Sequence, residues 1–218
     1  MSSTGSFAKD ISISTSRMTV GENLYAELLT SILNGRVEPG ERTNDVALAR
    51  ELGISRTPVR EALQRLRSIG VVEAEPNRFT RVAIISPEQV RDNWLVWDAL
   101  LRGIIHETGA KVPARILKAA KQQATAFQKA AKSNDRKKAA LANIELFNAL
   151  TEASNNQPLR QAILSAQYLV RLGSAELPED VSTDELTKGH DALLDALNSG
   201  DIKAATAGLD RIRAALTA

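Results

Sequence analysis

The sequence predicts a mainly α-helical protein, with an N-terminal winged helix-turn-helix followed by an all-α bundle of about six helices. Two short β-rich runs, "VVEAEP" and "FTRVAII", follow the third predicted helix and are joined by "PNR". Three helices and then a β-hairpin is the element order of a winged helix-turn-helix. Near residue 86 the chain changes character, and "SPEQV" opens a long region rich in Ala and Leu. Such a region favours a helical bundle.

Composition restricts the class of protein. Hydrophobic residues make up 43% of the chain and charged residues 25%, as in globular proteins. The net charge of +2 is too small to suggest a nucleic-acid coat protein. The absence of cysteine excludes disulfides, thiolate metal sites and a cysteine nucleophile, and fits a reducing cytosol. No apolar run approaches the ~18 to 20 residues of a membrane span. We therefore expect a cytoplasmic protein without a membrane partner.

Three regions are predicted along the chain. Residues 1–19 are rich in Ser and Thr and are expected to form a flexible tail. Residues 20–85 form the predicted winged domain, and residues 86–218 form the predicted helical domain. Ser86 is a plausible N-cap at the boundary, with Pro87 at the first helical position.

The winged domain is built from short elements with clear ends. "ENLYAELLTSILNG" has apolar residues at helical spacing and ends at Gly35, and "RVEPGER" reads as a turn. "TNDVALARELG" is a second helix that stops at Gly53. "ISRTPVREALQRLRSIG" is a third, with Ser55 or Thr57 as its cap and Pro58 in its first turn, where a missing N–H is harmless.

The helical domain has apolar stripes and no long strand signal. Trp94 and Trp97 begin one stripe, which is more typical of a core than of a ligand platform. The predicted helices run over approximately 87–108, 112–133, 136–154, 157–173, 183–198 and 201–217.

Positive charge is concentrated on the third helix and the hairpin. Residues 20–86 contain nine Arg and nine acidic residues, whereas residues 55–81 contain six Arg and three Glu. Arg56 and Arg60 are four residues apart and share a helix face. A helix-turn-helix places this helix in the DNA major groove, where a guanidinium can pair with guanine or phosphate. The alternative is a solvated Arg-rich face, but the hairpin that follows favours DNA.

Two groups of motifs carry a family resemblance. "SRTPVREAL", within the longer run from "LLTSILNG" to "RVAII", closely resembles the winged-helix domain of GntR-type bacterial transcription regulators. "ELFNALTEASNNQPL" and "GHDALLDALNSGDIKAA" resemble the ligand-sensing FCD domain of the fatty-acid-regulator-like branch of that family. Together the two resemblances cover nearly the whole chain after the tail.

The winged-domain resemblance implies double-stranded DNA as a partner. It places the DNA contacts at Ser55, Arg56, Thr57, Arg60, Asn77 and Arg78, the last two at the wing tip. Two positions depart from the family pattern. Val46 stands where relatives often carry a basic DNA contact, and Phe79 stands where many carry a wing glycine. We therefore expect an operator that differs from those of well-known relatives.

The FCD resemblance also predicts what this domain lacks. Many members hold a divalent metal with one Asp and three His, and the matching positions here are Ile144, Asn148, His190 and Ile212. Zinc normally takes three or four side-chain donors, and two of these positions have none. We therefore expect no metal and no other cofactor.

A metal-free sensing domain has a precedent, because the fatty-acid-responsive member of this branch senses an acyl-CoA. The resemblance implies a small-molecule effector, an organic acid or acyl compound, with polar anchors among Arg102, Asn148, Arg171 and His190. Two structural alternatives remain open. His190 can be a core histidine bonded to a backbone carbonyl, and Asn148 can be a plain interhelical hydrogen-bonding residue.

The predicted function is a homodimeric transcription regulator that binds a two-fold operator. Effector binding in the bundle would change the separation of the two DNA-binding domains. The alternative is a ligand-independent DNA-binding protein whose bundle only dimerises. An enzyme is not expected, because G-x-S-x-G, H-E-x-x-H and P-loop motifs are absent from the sequence.

Overall fold

A computed structural model describes residues 19–75 and 78–217. Contacts divide the chain into one compact unit that ends at Ser86 and a second that begins at Pro87. Most of the expected tail, and Asn77 of the wing, lie outside the described residues. Thr19, which the sequence places in the tail, is instead the N-cap of the first helix, and Glu22 completes its capping box.

The first unit is a winged helix-turn-helix, and this fold prediction is confirmed. Its elements are α1 (Val20–Leu33), β1 (Arg42–Thr43), α2 (Asp45–Leu52), α3 (Arg56–Ser68), β2 (Val72–Glu75) and β3 (Phe79–Val82). The predicted hairpin is β2–β3. The sequence missed β1, which pairs antiparallel with β3 and gives a three-stranded sheet in the order β1-β3-β2.

The turn between α2 and α3 is fixed by local chemistry. The Asn44 side chain caps α2 by accepting a hydrogen bond from the Ala47 backbone N–H at 2.7 Å. Gly53 closes the same helix with a φ of 66°, a conformation that favours glycine. The fully buried side chains of Leu24, Leu48 and Leu66 come from α1, α2 and α3 and form the core. The Asn44 cap, the turn at Gly53 and this core together fix the orientation of α3.

The second unit is an all-α bundle, as predicted. Its helices are α4 (Pro87–Thr108), α5 (Ala114–Lys132), α6 (Arg136–Thr151), α7 (Gln157–Gly173), α8 (Thr183–Ser199) and α9 (Ile202–Thr217). Helix α4 packs on α7, α5 on α6 and α8 on α9, while α5–α8 and α4–α9 contacts join these pairs. Within the described ranges, no helix is long and apolar enough to cross a membrane.

The bundle core contains an aromatic cluster and one very close helix pair. The rings of Trp94, Trp97 and Phe147 meet edge to face, with centroid separations of 5.0 to 5.7 Å. Helices α8 and α9 approach so closely that a Cβ at Gly208 would lie 2.8 Å from the backbone nitrogen of Leu193. Only glycine fits there without moving a helix.

Candidate nucleic-acid interface and effector cavity

Helix α3 separates an apolar face from a cationic one. Val59, Leu63 and Leu66 are buried in the core of the unit. Arg56, Thr57 and Arg60 are exposed, as is the N-cap Ser55. The side chains proposed to contact DNA therefore share the solvent face of α3, at its N-terminal end.

Arg56 is held in place by the preceding helix. Its Nη2 lies 2.8 Å from Oδ2 of Asp45, and its Nε lies 3.3 Å from the same oxygen. The hydrogen bond from Arg56 lowers the pKa of Asp45, and the charges of Arg56 and Arg60 add to the effect. The Arg56 side chain nevertheless remains 59% exposed. Asp45 therefore holds the Arg56 guanidinium in place while leaving it accessible to solvent.

Arg65 has a different role from Arg56 and Arg60. Its guanidinium carbon lies 4.2 Å from the ring centroid of Tyr25 on α1, which is a cation–π contact. Arg65 therefore helps to attach α3 to α1. Arg56 and Arg60 are the exposed arginines at the N-terminal end of α3, and Arg67 is exposed near its C-terminal end.

The wing places Phe79 between two arginines. The Arg81 guanidinium lies 4.4 Å from the Phe79 ring centroid, and that of Arg42 lies 5.6 Å away. Phe79 thus contacts one arginine on its own strand, Arg81, and one on the adjacent strand β1, Arg42, which a glycine could not do. Arg78 is exposed beside it, with its Nη1 2.7 Å from Oε1 of Glu75.

The second unit contains a buried polar pair. His190 is fully buried, and its Nε2 lies 2.8 Å from Oδ1 of Asn143. Burial lowers the pKa of His190 to about 4, so the imidazole is neutral at physiological pH. The alternative of a core histidine bonded to a backbone carbonyl is right about the burial of His190, but its partner is the side chain of Asn143.

Asn143 was missed by the sequence reasoning. The family pattern places two of its metal-ligand positions at Ile144 and Asn148 on the same helix. Asn143, however, lies four residues before Phe147 and so shares its buried face. A polar residue in that apolar stripe was the available signal.

The other predicted anchors form ion pairs and hydrogen bonds. Arg102 joins α4 to α9, with its Nε 3.0 Å from Asp98 and its Nη2 3.0 Å from Asp210. Glu145 accepts from Arg171 at 2.6 Å and from Asn148 at 3.0 Å. Asn148 therefore bonds within its own helix, while Glu145 links that helix to Arg171 on α7.

A cavity of about 470 Å³ lies in the bundle. It is bordered by α4, α6, α7, α9 and the segment between α7 and α8, and its lining includes Trp94, Asn143, Ile144 and Val170. Arg102, Asn148, Arg171 and His190 are not among the described residues that line it. His190 reaches the cavity only through Asn143.

The residues at the family's metal positions do not fit a metal. Ile144 and Ile212 are buried and have no donor atom, and Asn148 bonds to Glu145. His190 uses Nε2 for Asn143, and in the described part of the chain no group of three or more His, Cys, Asp or Glu is placed to hold an ion.

Comparisons with known proteins agree with this architecture. Residues 20–82 match the family described as bacterial regulatory proteins of the gntR family, and residues 98–215 match the FCD domain. A probable D-xylose utilization operon transcriptional repressor of Paenarthrobacter nicotinovorans is 26% identical over 185 residues, covering 85% of this chain and 81% of the relative.

Two solved structures show the same fold. The chain superposes on McbR/YncC of E. coli with a TM-score of 0.65 at 24% identity, covering 90% of this chain and 94% of that one. A GntR regulator of Rhodococcus sp. RHA1 gives a TM-score of 0.69 at 20% identity, covering 90% and 97%. The FCD match alone spans more than half of the chain. The protein therefore belongs to the GntR family of bacterial DNA-binding transcription regulators and carries an FCD domain.

Proposed function

We propose that a small-molecule effector bound in the bundle cavity modulates operator binding by this regulator. The observation that carries the proposal is the cavity itself. Its volume of about 470 Å³ lies within the ~300–1,000 Å³ of ordinary ligand sites. A bundle that served only to dimerise would gain stability by filling such a space.

We propose that Arg56, Thr57 and Arg60 enter the major groove of a two-fold operator. Their shared solvent face on α3 supports this, as does the ordering of Arg56 by Asp45. Ser55 would meet phosphate at the helix start, and Asn77 and Arg78 would contact DNA from the wing. Phosphate contacts would fix the position of the protein on the DNA, and base contacts would determine which operator sequence it binds.

We propose further that the regulator is a homodimer assembled through the bundle. Leu95 and Val96 on α4 are 45% and 51% exposed, and Leu164 on α7, the helix that packs on α4, is 37% exposed. Burial of such side chains favours association. Light scattering should show a dimer that Val96→Glu weakens. Leu141→Glu, which changes an equally exposed leucine on α6, should leave the dimer intact.

Filling the cavity tests the effector proposal. Val170 is buried in the lining, and Val170→Phe should remove any effect of added small molecules on operator affinity while leaving DNA binding in place. Leu141→Phe adds a similar change at the surface and serves as the matched control. Fluorescence anisotropy of a labelled operator, selected from random DNA, measures both. If no compound in a broad metabolite screen changes operator affinity, the bundle only dimerises and the proposal is wrong.

A further inference from the structure

The charged and uncharged residues of the cavity are segregated. The charged residues of the lining, Arg91, Glu176 and Asp180, are all exposed. The polar lining residues that are buried are Asn143, which is 4% exposed, and Trp94, which is 5% exposed. The remaining buried lining residues are apolar. The buried part of the cavity therefore offers a ligand only neutral groups.

The bond to His190 fixes what Asn143 can offer. An amide oxygen only accepts hydrogen bonds, so His190 Nε2 must carry the proton in its 2.8 Å contact with Oδ1 of Asn143. That contact orients the amide and leaves its Nδ2 as the group that Asn143 can present to the cavity. The lining also includes Trp94, whose indole Nε1 is buried and makes no hydrogen bond within the described residues. Asn143 Nδ2 and Trp94 Nε1 are both hydrogen-bond donors.

This arrangement selects against a charged ligand. A buried carboxylate requires a cation or several donors, and no buried lining residue is cationic. His190 is not among the residues that line the cavity, and burial lowers the pKa of its imidazole to about 4. Arg91 is exposed and shares the rim with two acidic residues, Glu176 and Asp180. A buried ammonium group would likewise lack a buried carboxylate, because the acidic lining residues are exposed.

The following inference rests on the proposed function. We propose that the effector is an uncharged, largely apolar molecule with a carbonyl-type oxygen that accepts a hydrogen bond from Asn143 Nδ2. His190 is a positioning residue, which acts by fixing the orientation of that amide. Apolar contacts with Ile144, Val170 and neighbouring lining residues hold the rest of the molecule. The family's arrangement of an Asp and histidines is thereby replaced by a neutral amide–imidazole pair.

Three probes with the same chain length test the ligand class on the full-length protein. Methyl octanoate presents a neutral acceptor, octanoate an anion and octylamine a cation. Isothermal titration should show that the ester binds at least about tenfold more tightly than either charged probe. Asn143→Ala should weaken ester binding by about tenfold, the effect of one lost hydrogen bond. Gln167→Ala, at a buried amide on α7 outside the lining, should change it less than twofold.

The role of His190 needs a separate test, because substituting a buried residue can alter stability. His190→Gln retains a donor for the Asn143 carbonyl and should preserve most of the ester affinity, whereas His190→Leu should lose it. Combining His190→Leu with Asn143→Ala should be no worse than Asn143→Ala alone, since both remove the same oriented amide. Thermal melts verify that each variant is folded.

Specific results would overturn the proposal. Octanoate binding more tightly than the ester, no binding by the ester, or an unchanged ester affinity in Asn143→Ala would each do so. If octanoate binds and Val170→Phe abolishes its binding and its effect on operator affinity, the neutral-ligand inference fails while the proposed function stands. If the ester binds as expected but leaves operator affinity unchanged, as does every compound of the metabolite screen, the proposed function fails instead.

Discussion

The two units of this regulator place their functional groups in opposite surroundings. On α3, Arg56 and Arg60 are exposed and charged. In the bundle, Asn143 and His190 are buried and neutral. Exposed cations can attract a polyanion at little cost to folding, because water solvates them before binding. Buried donors recognise one small group and contribute to the stability of the fold. Substitutions on α3 should therefore change DNA affinity without changing the stability of the first unit. Substitutions of the buried pair should change ligand affinity and the stability of the bundle together.

The largest expected effect is on DNA binding. Arg56→Ala combined with Arg60→Ala should cost roughly 2–6 kcal/mol of specific binding, taking about 1–3 kcal/mol for each base contact. Helical content should be unchanged. Arg65→Ala is the control, since Arg65 stacks on Tyr25, and it should affect operator affinity far less. Anisotropy titrations at one fixed salt concentration measure all three proteins. An operator affinity that survives the double substitution would disprove the role of α3.

Acid should destabilise the bundle through His190. Its pKa is about 4 when folded and 6.5 in its ordinary state. Between those values the unfolded chain binds a proton that the folded chain does not. The contribution of His190 is therefore intact above pH 6.5 and falls as the pH approaches 4, by on the order of 3 kcal/mol.

Tryptophan fluorescence can isolate this effect, because the chain has two Trp residues and both lie in the bundle. Urea unfolding should show a smaller fall in stability between about pH 7 and about pH 5 for His190→Leu than for the wild type. His106→Gln, at an exposed histidine on α4, should retain the full fall. Equal pH dependence in all three proteins would mean that His190 is not held neutral by burial.

A smaller effect is expected where α8 and α9 meet. Gly208→Ala places a methyl group 2.8 Å from the Leu193 backbone and should lower the free energy of unfolding of the bundle, by about 1–3 kcal/mol. At Gly103 a Cβ would lie 3.7 Å from the Leu159 side chain, an ordinary contact. Gly103→Ala should thus be neutral or stabilising. The same fluorescence assay compares the two variants, and equal losses would contradict the close approach.

Asp45 should have a weaker influence. Asp45→Asn removes an exposed ion pair and should change the free energy of unfolding by no more than about 1 kcal/mol. It also frees Arg56 and removes a negative charge near DNA. We expect tighter binding to random DNA and poorer discrimination in favour of the operator, measured as the ratio of the two dissociation constants. Unchanged discrimination would show that Asp45 does not position Arg56 for recognition.

The smallest expected effect is that of metal removal, which should be nil. The donor set of Ile144, Asn148, His190 and Ile212 does not fit a transition metal. Elemental analysis after dialysis without chelator should find far less than one metal ion per chain, and EDTA should not change the melting temperature. Near one zinc, nickel or manganese per chain would contradict this.

Much of the first unit could be predicted from sequence because its signals are local. Helical periodicity, the Gly53 stop and the spacing of Arg56 and Arg60 each lie within a few residues. Strand β1 escaped prediction because two residues carry no alternation. It exists only through its pairing with β3, where Arg42 meets Arg81.

The sequence by itself determined the helices of the bundle, the family and the loss of the metal donors, because each depends on residue types at fixed spacings. Only the tertiary structure decided that Asn143, rather than Asn148, meets His190 across 47 residues of chain. Periodicity shows which residues share a helix face, but not how far that helix is rotated against its neighbour. That rotation is set by the packing of whole helices, and it decides which amide lines the cavity.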